Sequence, residues 1–366
     1  MDDKNFISSY ALFATIIVTT VGVNVFSYPR ELTEVVNGDG WIVIILATIL
    51  AFIFMSLIYQ TMKNNKYIHF YDLIEKNTGR FIGKLIGLSF IIYSIIVISV
   101  GLRVFTEEIK VYLLQRTPTE FIFIFTILTG VYLVRGEIDT LIKFNEVAFW
   151  LMFIPVFLVL LFSIYDSDFS NILPLLNNKP MNYIHGITMS MYRYSGFPIL
   201  FLILPFVKEK KKINKVILKS LIFIGLFYVI TFILVIGMFG KEQTKILLWP
   251  VITLIRTIDI PGTFVERWEG IIMAIWVIFY YTTFTNLFYF AADMLKKMCK
   301  FNDVKLSVPI IVPFIYLIAL YPQNVVQVAQ ISSKYVPMLG VINFVILPII
   351  LLIITKVRKG GRKNPV

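Results

Sequence analysis

Stretches free of Asp, Glu, Lys and Arg run over 5–29, 40–62, 85–102, 121–134, 147–165, 220–240, 270–292, 306–333 and 335–355. Most approach or exceed the ~20 residues a helix needs to cross the hydrocarbon core of a bilayer. A tenth stretch, 180–207, is uncharged except for Arg193 near its middle and is read as one helix. The segment 121–134 reaches spanning length by including 116–120, with Pro118 in its first turn. The pattern predicts an all-α polytopic membrane protein of ten transmembrane helices.

Composition agrees: 58% of the 366 residues are apolar and 15% are charged, against about 45–50% and about 25% in soluble domains. The net charge of +12 is explained by position. With ten spans and both termini on one side, 23 of the 34 basic residues fall on that side, notably in 208–219 and in the tail 356–366. The positive-inside rule then predicts cytoplasmic termini, and nucleic-acid binding has no part in the argument. Met1-Asp2-Asp3-Lys4 lacks a basic leader, so the first apolar stretch is expected to be a retained span. The longest connection, 241–270, contains Trp249-Pro250 and Pro261-Gly262 and reads as short helices on the outer face. The chain is expected to form one integral membrane domain, 1–366.

Two spans are interrupted in a matched way. The first carries Thr19-Thr20-Val21-Gly22-Val23-Asn24 before Tyr28-Pro29-Arg30, and the sixth carries Arg193-Tyr194-Ser195-Gly196-Phe197-Pro198 at mid-segment. First and sixth of ten are corresponding places in two halves, about 6–163 and 181–355. Such a pair points to a five-plus-five inverted repeat of the kind transporters use, because unwound backbone at membrane depth needs a cavity or ligand to satisfy it. Gly and Pro are also common in ordinary membrane helices, where glycine serves close packing, and that reading stands beside the first.

Chemistry-bearing side chains are few. There is no GxxxxGK[ST], HExxH, CxxC or GxSxG motif, and the single Cys299 forbids an intrachain disulfide and a cysteine metal site. His69 and His185 fall at opposite ends of the spans. No enzymatic activity, metal or cofactor is expected. Arg193 is the sharpest signal, since an arginine at helix centre costs roughly 2.5–3.5 kcal/mol on insertion scales. A structural ion pair with a carboxylate such as Glu107 or Glu108 is favoured over a bound anion. Thr282, Thr283 and Asn286 form a polar run in the eighth span; Thr282 and Asn286 share a face, as a pocket wall requires, although most membrane threonines bond to their own helix. Tyr93 and Val97 share a face of the third span. With Thr20, Gly22, Val23, Tyr194 and Gly196 at the interruptions, these residues make up the candidate ligand site.

Taken in order, Gly22-x-x-x-Phe26-x-x-Pro29-Arg30, Leu113-Leu114-Gln115-Arg116-Thr117-Pro118, Trp249-Pro250, Val265-Glu266-Arg267-Trp268-Glu269 and Thr282-Thr283-Phe284 resemble the B subunit of spore germinant receptors over nearly the whole chain. That family sits among the amino acid, polyamine and organocation transporters. The resemblance implies a receptor in the spore inner membrane that binds a small germinant, often an amino acid, with an A subunit and a C lipoprotein as partners. Two positions depart from the family: Asn24 stands where a second small residue is frequent, and Pro198 and Ile199 stand where an acidic residue is frequent. The competing function is a proton- or sodium-coupled amino-acid permease. The first, third, sixth and eighth spans show no acidic residue that the sequence places at mid-depth, which weighs against proton coupling.

Overall fold

A computed structural model describes residues 6–22, 25–257 and 268–361. The chain forms α1 (Ser9–Thr20), α2 (Tyr28–Val36), α3 (Gly40–Asn64), α4 (Phe70–Thr78), α5 (Arg80–Tyr112), α6 (Thr119–Val134), α7 (Ile138–Ser163), α8 (Pro180–Met191) and α9 (Ile199–Ile203). It continues through α10 (Ile213–Ile246), α11 (Pro250–Thr257), α12 (Trp268–Cys299), α13 (Val308–Leu320), α14 (Val325–Val341) and α15 (Leu347–Gly361). Five segments are long and apolar enough to cross a membrane alone, beginning at Tyr28, Arg80, Ile138, Pro180 and Lys210. Ile275–Cys299 and Val304–Leu320 form a pair bent by 100° that is long and apolar enough only together, and Ser9–Thr20, Thr119–Val134 and Leu347–Lys356 are shorter apolar helices.

Local chemistry explains the boundaries. Ser8 caps α1 by accepting from the Ala11 N–H, and Pro118 directly precedes α6. In α10, Gly240 takes φ +69°, a left-handed conformation costly for other residues, and the chain bends there. One predicted boundary moves. The uncharged stretch 306–333 is cut at 321–324, where Pro322 cannot continue a helix and the Asn324 side chain accepts from the Gln327 N–H to start α14. Lys334 therefore lies within α14, not in a loop. A five-residue π turn at Ile342–Ile346 joins α14 to α15.

Packing centres on α5 and α12. Phe105 stacks on Tyr280 at 4.6 Å, and the Tyr280 hydroxyl donates to the Ile98 carbonyl at 2.7 Å. Phe70, Phe90, Phe201 and Phe290 fill the interior near α4, with Phe70 stacked 3.7 Å from Phe201. His69 Nε2 lies 2.6 Å from Asp293 and ties the start of α4 to α12. Apolar side chains such as Phe121, Phe125, Leu128 and Trp150 remain exposed on the periphery, as a lipid-facing surface requires.

The first and sixth spans are both broken, and they run in opposite directions side by side. Ahead of α1, the Ile7 N–H donates to the Phe206 carbonyl at 3.0 Å and the Lys208 N–H to the Ile7 carbonyl at 2.9 Å, a short parallel bridge. At the far end of the pair, α2 meets the three-residue 3-10 turn Tyr192–Tyr194 that follows α8.

Candidate functional site

The helical pattern of α1 stops at Val21, whose ψ of 87° turns the backbone away. The Gly22 N–H, which would have bonded to Val18, reaches the Thr20 carbonyl instead at 3.1 Å. An unpaired carbonyl at this depth is expensive, and α12 supplies the missing donors. Thr282 Oγ1 donates to the Val18 carbonyl at 2.8 Å, and Thr283 Oγ1 to the Thr19 carbonyl at 3.0 Å. Below them, Asn286 donates to Thr19 Oγ1 at 2.8 Å and pairs reciprocally with Asn145 of α7 at 2.8 and 3.1 Å. Thr19, Asn145, Thr282 and Asn286 are fully buried and Thr283 is partly so.

The sixth-span interruption is built differently. Residues 192–198 keep right-handed dihedrals where these are defined, with φ −59° and ψ −10° at Ser195 and φ −55° and ψ −26° at Pro198. Bonds three residues apart, Ser195 to Tyr192 at 3.0 Å and Ile199 to Gly196 at 3.2 Å, replace the α pattern. The backbones of the two breaks touch: a Cβ on Gly196 would stand 2.8 Å from the Thr19 carbonyl oxygen and 3.0 Å from the Thr20 Cα. Tyr194 Oη meets Thr48 Oγ1 at 2.6 Å, and Tyr93 Oη lies 3.5 Å from the Ser195 carbonyl with Val97 buried one turn along. Thr20 is buried beside this contact, its hydroxyl bonded to nothing among the described residues. Val23 lies outside the described residues.

Next to this junction lies a cavity of about 580 Å³, bounded by α2, α5, α8, the 3-10 turn, the approach to α11, and α14. Of the predicted site residues among the described residues, Arg193 alone lines it. Thr282, Thr283 and Asn286 instead join α12 to α1 and α7. Charged residues ring the cavity: Arg30, Glu31, Glu34, Glu107 and Arg193, with His185 at its edge. Arg193 is an ion-pair residue, as favoured, but its partner is Glu31, at 2.7 Å; Glu107 is taken by Arg103 at 2.8 Å. Glu31 Oε1 accepts from Ser27 at 2.7 Å, and the guanidinium also lies 5.5 Å from the centre of the Tyr28 ring.

Sequence reasoning passed over Glu31 and Asn145, and considered Glu108 only as a partner for Arg193, which it is not. Glu31 lies beyond the uncharged stretch 5–29, yet α2 begins at Tyr28, so the carboxylate lies inside helical structure. Glu108 is 3% exposed in α5, and its Oε1 has no partner among the described residues. Glu31, half-buried, and Glu108, buried, therefore add carboxylates to the first and third spans. Among the described residues no cluster of His, Cys, Asp or Glu could hold a metal ion.

The fold is shared with solved transporters. It matches a Na+-coupled sialic acid symporter in a substrate-bound outward-open state with a TM-score of 0.68 at 12% identity, over 91% of this chain and 76% of that one. It matches Mhp1, a nucleobase-cation-symport-1 family transporter in a closed conformation with bromovinylhydantoin bound, with a TM-score of 0.63 at 13% identity, over 92% and 76%. The architecture is therefore the helical fold of these transporters, with the first and sixth expected spans broken. Within that class, the family described as "Spore germination protein" matches residues 6–328, and the chain belongs to it. Its relatives include spore germination protein A2 of Bacillus subtilis (strain 168), 29% identical over 93% of both chains, and YndE of the same organism, 29% identical over 96% of this chain and 97% of the other. GerQB of Bacillus cereus is 23% identical over 95% and 96%.

Proposed function

We propose that the chain is the B subunit of a spore germinant receptor, which binds a small nutrient in the cavity beside the two helix breaks and signals to partner subunits. The observation that carries this reading is the cavity itself: in a spore germination protein, about 580 Å³ of space is bounded by α2, which follows the first interruption, and by α8 and its 3-10 turn, which lead into the second. A ligand held there touches α2 and the turn after α8, one segment from each broken span. It shifts their equilibrium only through its differential affinity, and moving from 1:99 to 99:1 takes about 5.5 kcal/mol. The proposal extends to an A subunit and a C lipoprotein as partners, to the spore inner membrane as the location, and to termini and a 208–219 loop facing the core, since 23 of 34 basic residues fall on that side. No enzymatic step is part of it.

A coupled permease is the second reading, favoured by one feature of the site. The Val18 and Thr19 carbonyls and the Thr282 and Thr283 hydroxyls bring four oxygens together at the break, a donor set that also suits a hard monovalent cation. Purified protein in liposomes separates the two. The receptor reading expects labelled amino acids to equilibrate at most, under imposed sodium or proton gradients. Accumulation against a gradient that collapses with the ion gradient establishes the permease.

A further inference from the structure

We propose that the Glu31–Arg193 pair is an exchangeable lock for a zwitterion: an α-amino acid with an apolar side chain gives its carboxylate to Arg193 and its ammonium to Glu31. The inference rests on the ligand-binding reading above and assigns the chemistry of that cavity. Arg193 is 4% exposed, whereas the Glu31 side chain is 32% exposed, so the pair presents its acidic member to the cavity. The guanidinium is underused. One terminal nitrogen donates to the Met189 carbonyl at 3.2 Å, another to Glu31 Oε2 at 2.7 Å, and the buried Nε donates to nothing among the described residues. Glu31 holds one corner of a fork built for two oxygens. A carboxylate that takes the Nε edge together with that corner makes two parallel charge-assisted bonds where the resting pair makes one.

Charge neutrality selects the ligand class. Opening a buried pair strands two charges, and a charge left there without a partner is strongly destabilising. An anion alone satisfies Arg193 and abandons Glu31; an amine alone does the reverse. A zwitterion satisfies both, and the site stays neutral before and after. Apolar walls from Val35, Val104, Met189 and Leu248 complete a surface suited to an aliphatic or aromatic side chain. Because Glu31 belongs to α2 and Arg193 to the turn after α8, the exchange replaces a direct link between the broken helices with one that runs through the ligand.

The test uses purified full-length protein in nanodiscs. Each of the twenty standard amino acids is titrated by thermal shift, and the tightest-binding one is compared with its des-amino acid and its decarboxylated amine. Both analogues are expected to bind at least a hundredfold more weakly. In Glu31→Gln the ammonium loses its partner, so the amino acid and its des-amino analogue are expected to fall within tenfold of each other, while Glu31→Asp keeps the discrimination. The proposal is overturned if none of the twenty binds, if either analogue binds wild type within tenfold of the amino acid, or if Glu31→Gln retains the ammonium requirement. The wild-type analogue series decides even if the glutamine variant does not fold. Stabilisation by uncharged sugars or nucleosides alone removes the zwitterion and leaves a ligand-binding receptor standing; ion-driven accumulation in liposomes removes the receptor reading instead.

Discussion

The two interruptions answer the same problem in opposite ways. At the first, the backbone leaves helical geometry and its carbonyls are satisfied from outside, by Thr282 and Thr283 of α12. At the sixth, the chain tightens into three-residue turns and keeps its own bonds. The first break therefore depends on side chains of another helix, whereas the sixth depends on space, because Gly196 lies against the backbone of Thr19 and Thr20. The matched Gly- and Pro-containing sequences carry no hint of that asymmetry. A rearrangement of α12 loosens the first break directly; the sixth yields only when the two backbones separate.

The strongest way to break this comparison is to fill the contact. Gly196→Ala places its Cβ 2.8 Å from the Thr19 carbonyl oxygen, where backbone must give way, at a cost of about 1–3 kcal/mol, and Gly196→Leu costs more. Gly22→Ala meets Thr283 Oγ1 at 2.9 Å, the end of a side chain that can turn, so it costs about 1 kcal/mol through the weakened bond to Thr19. Melting temperatures in detergent are expected to rank Gly196→Ala below Gly22→Ala and Gly22→Ala below wild type. Equal losses at the two glycines contradict the asymmetry.

Removing the donors is the next largest change. Thr283→Val keeps the shape and takes the α12 donor from the Thr19 carbonyl at membrane depth, and Thr282→Val takes the nearer donor from the Val18 carbonyl, each at about 1–3 kcal/mol. Serine at either position restores the hydroxyl and is expected to recover most of the loss. At the sixth break the corresponding side-chain test is small. Tyr194→Phe deletes the 2.6 Å contact with Thr48, but Thr48 also bonds to the Ile44 carbonyl, so about 1 kcal/mol is expected. A Tyr194→Phe loss exceeding that of Thr283→Val inverts the comparison.

Much of this arrangement was legible in the sequence, and what was not has identifiable causes. Gly22, Pro29, Gly196 and Pro198 marked both breaks because these residue types change what the backbone can do. Arg193 stood out because a lone charge in an apolar run is costly wherever it points. Its partner was hidden, since Glu31 lies 162 residues away and pairing across such a distance leaves no spacing signal. Asn145 was hidden for a simpler reason: one amide among charged neighbours at the start of a span looks like a solvated flank, and only the fold brings it to Asn286. The boundary at 321–324 escaped a filter that counted charges, because Pro322 and Asn324 end one helix and start the next without any. The cavity draws on five separated segments and was out of reach of any local pattern.

The smallest expected effect concerns the far ends of the same two helices, where they are tied by backbone bonds between Ile7 and residues 206 and 208. Beside that bridge, Glu209 accepts from Lys212 Nζ at 2.6 Å and from Ser9 Oγ at 2.8 Å, so the side chain links the start of α1 to the chain leaving the sixth span. These bonds hold the Glu209 carboxyl below its usual value of 4.5, Lys212 contributing most and Ser9 next. A depressed carboxyl stabilises the folded state above its unfolded pKa and loses that contribution as pH falls through the folded pKa. Glu209 is exposed, so solvent screens the effect and the backbone bridge carries the tie. The expected outcome is a small difference in melting temperature between wild type and Glu209→Gln that is constant from pH 8 to about pH 5, then shrinks as the solution is acidified below 4.5. A difference as large as that of Thr283→Val, or one that grows on acidification, makes this exposed link a principal tie between the broken helices, and the backbone bridge a secondary one.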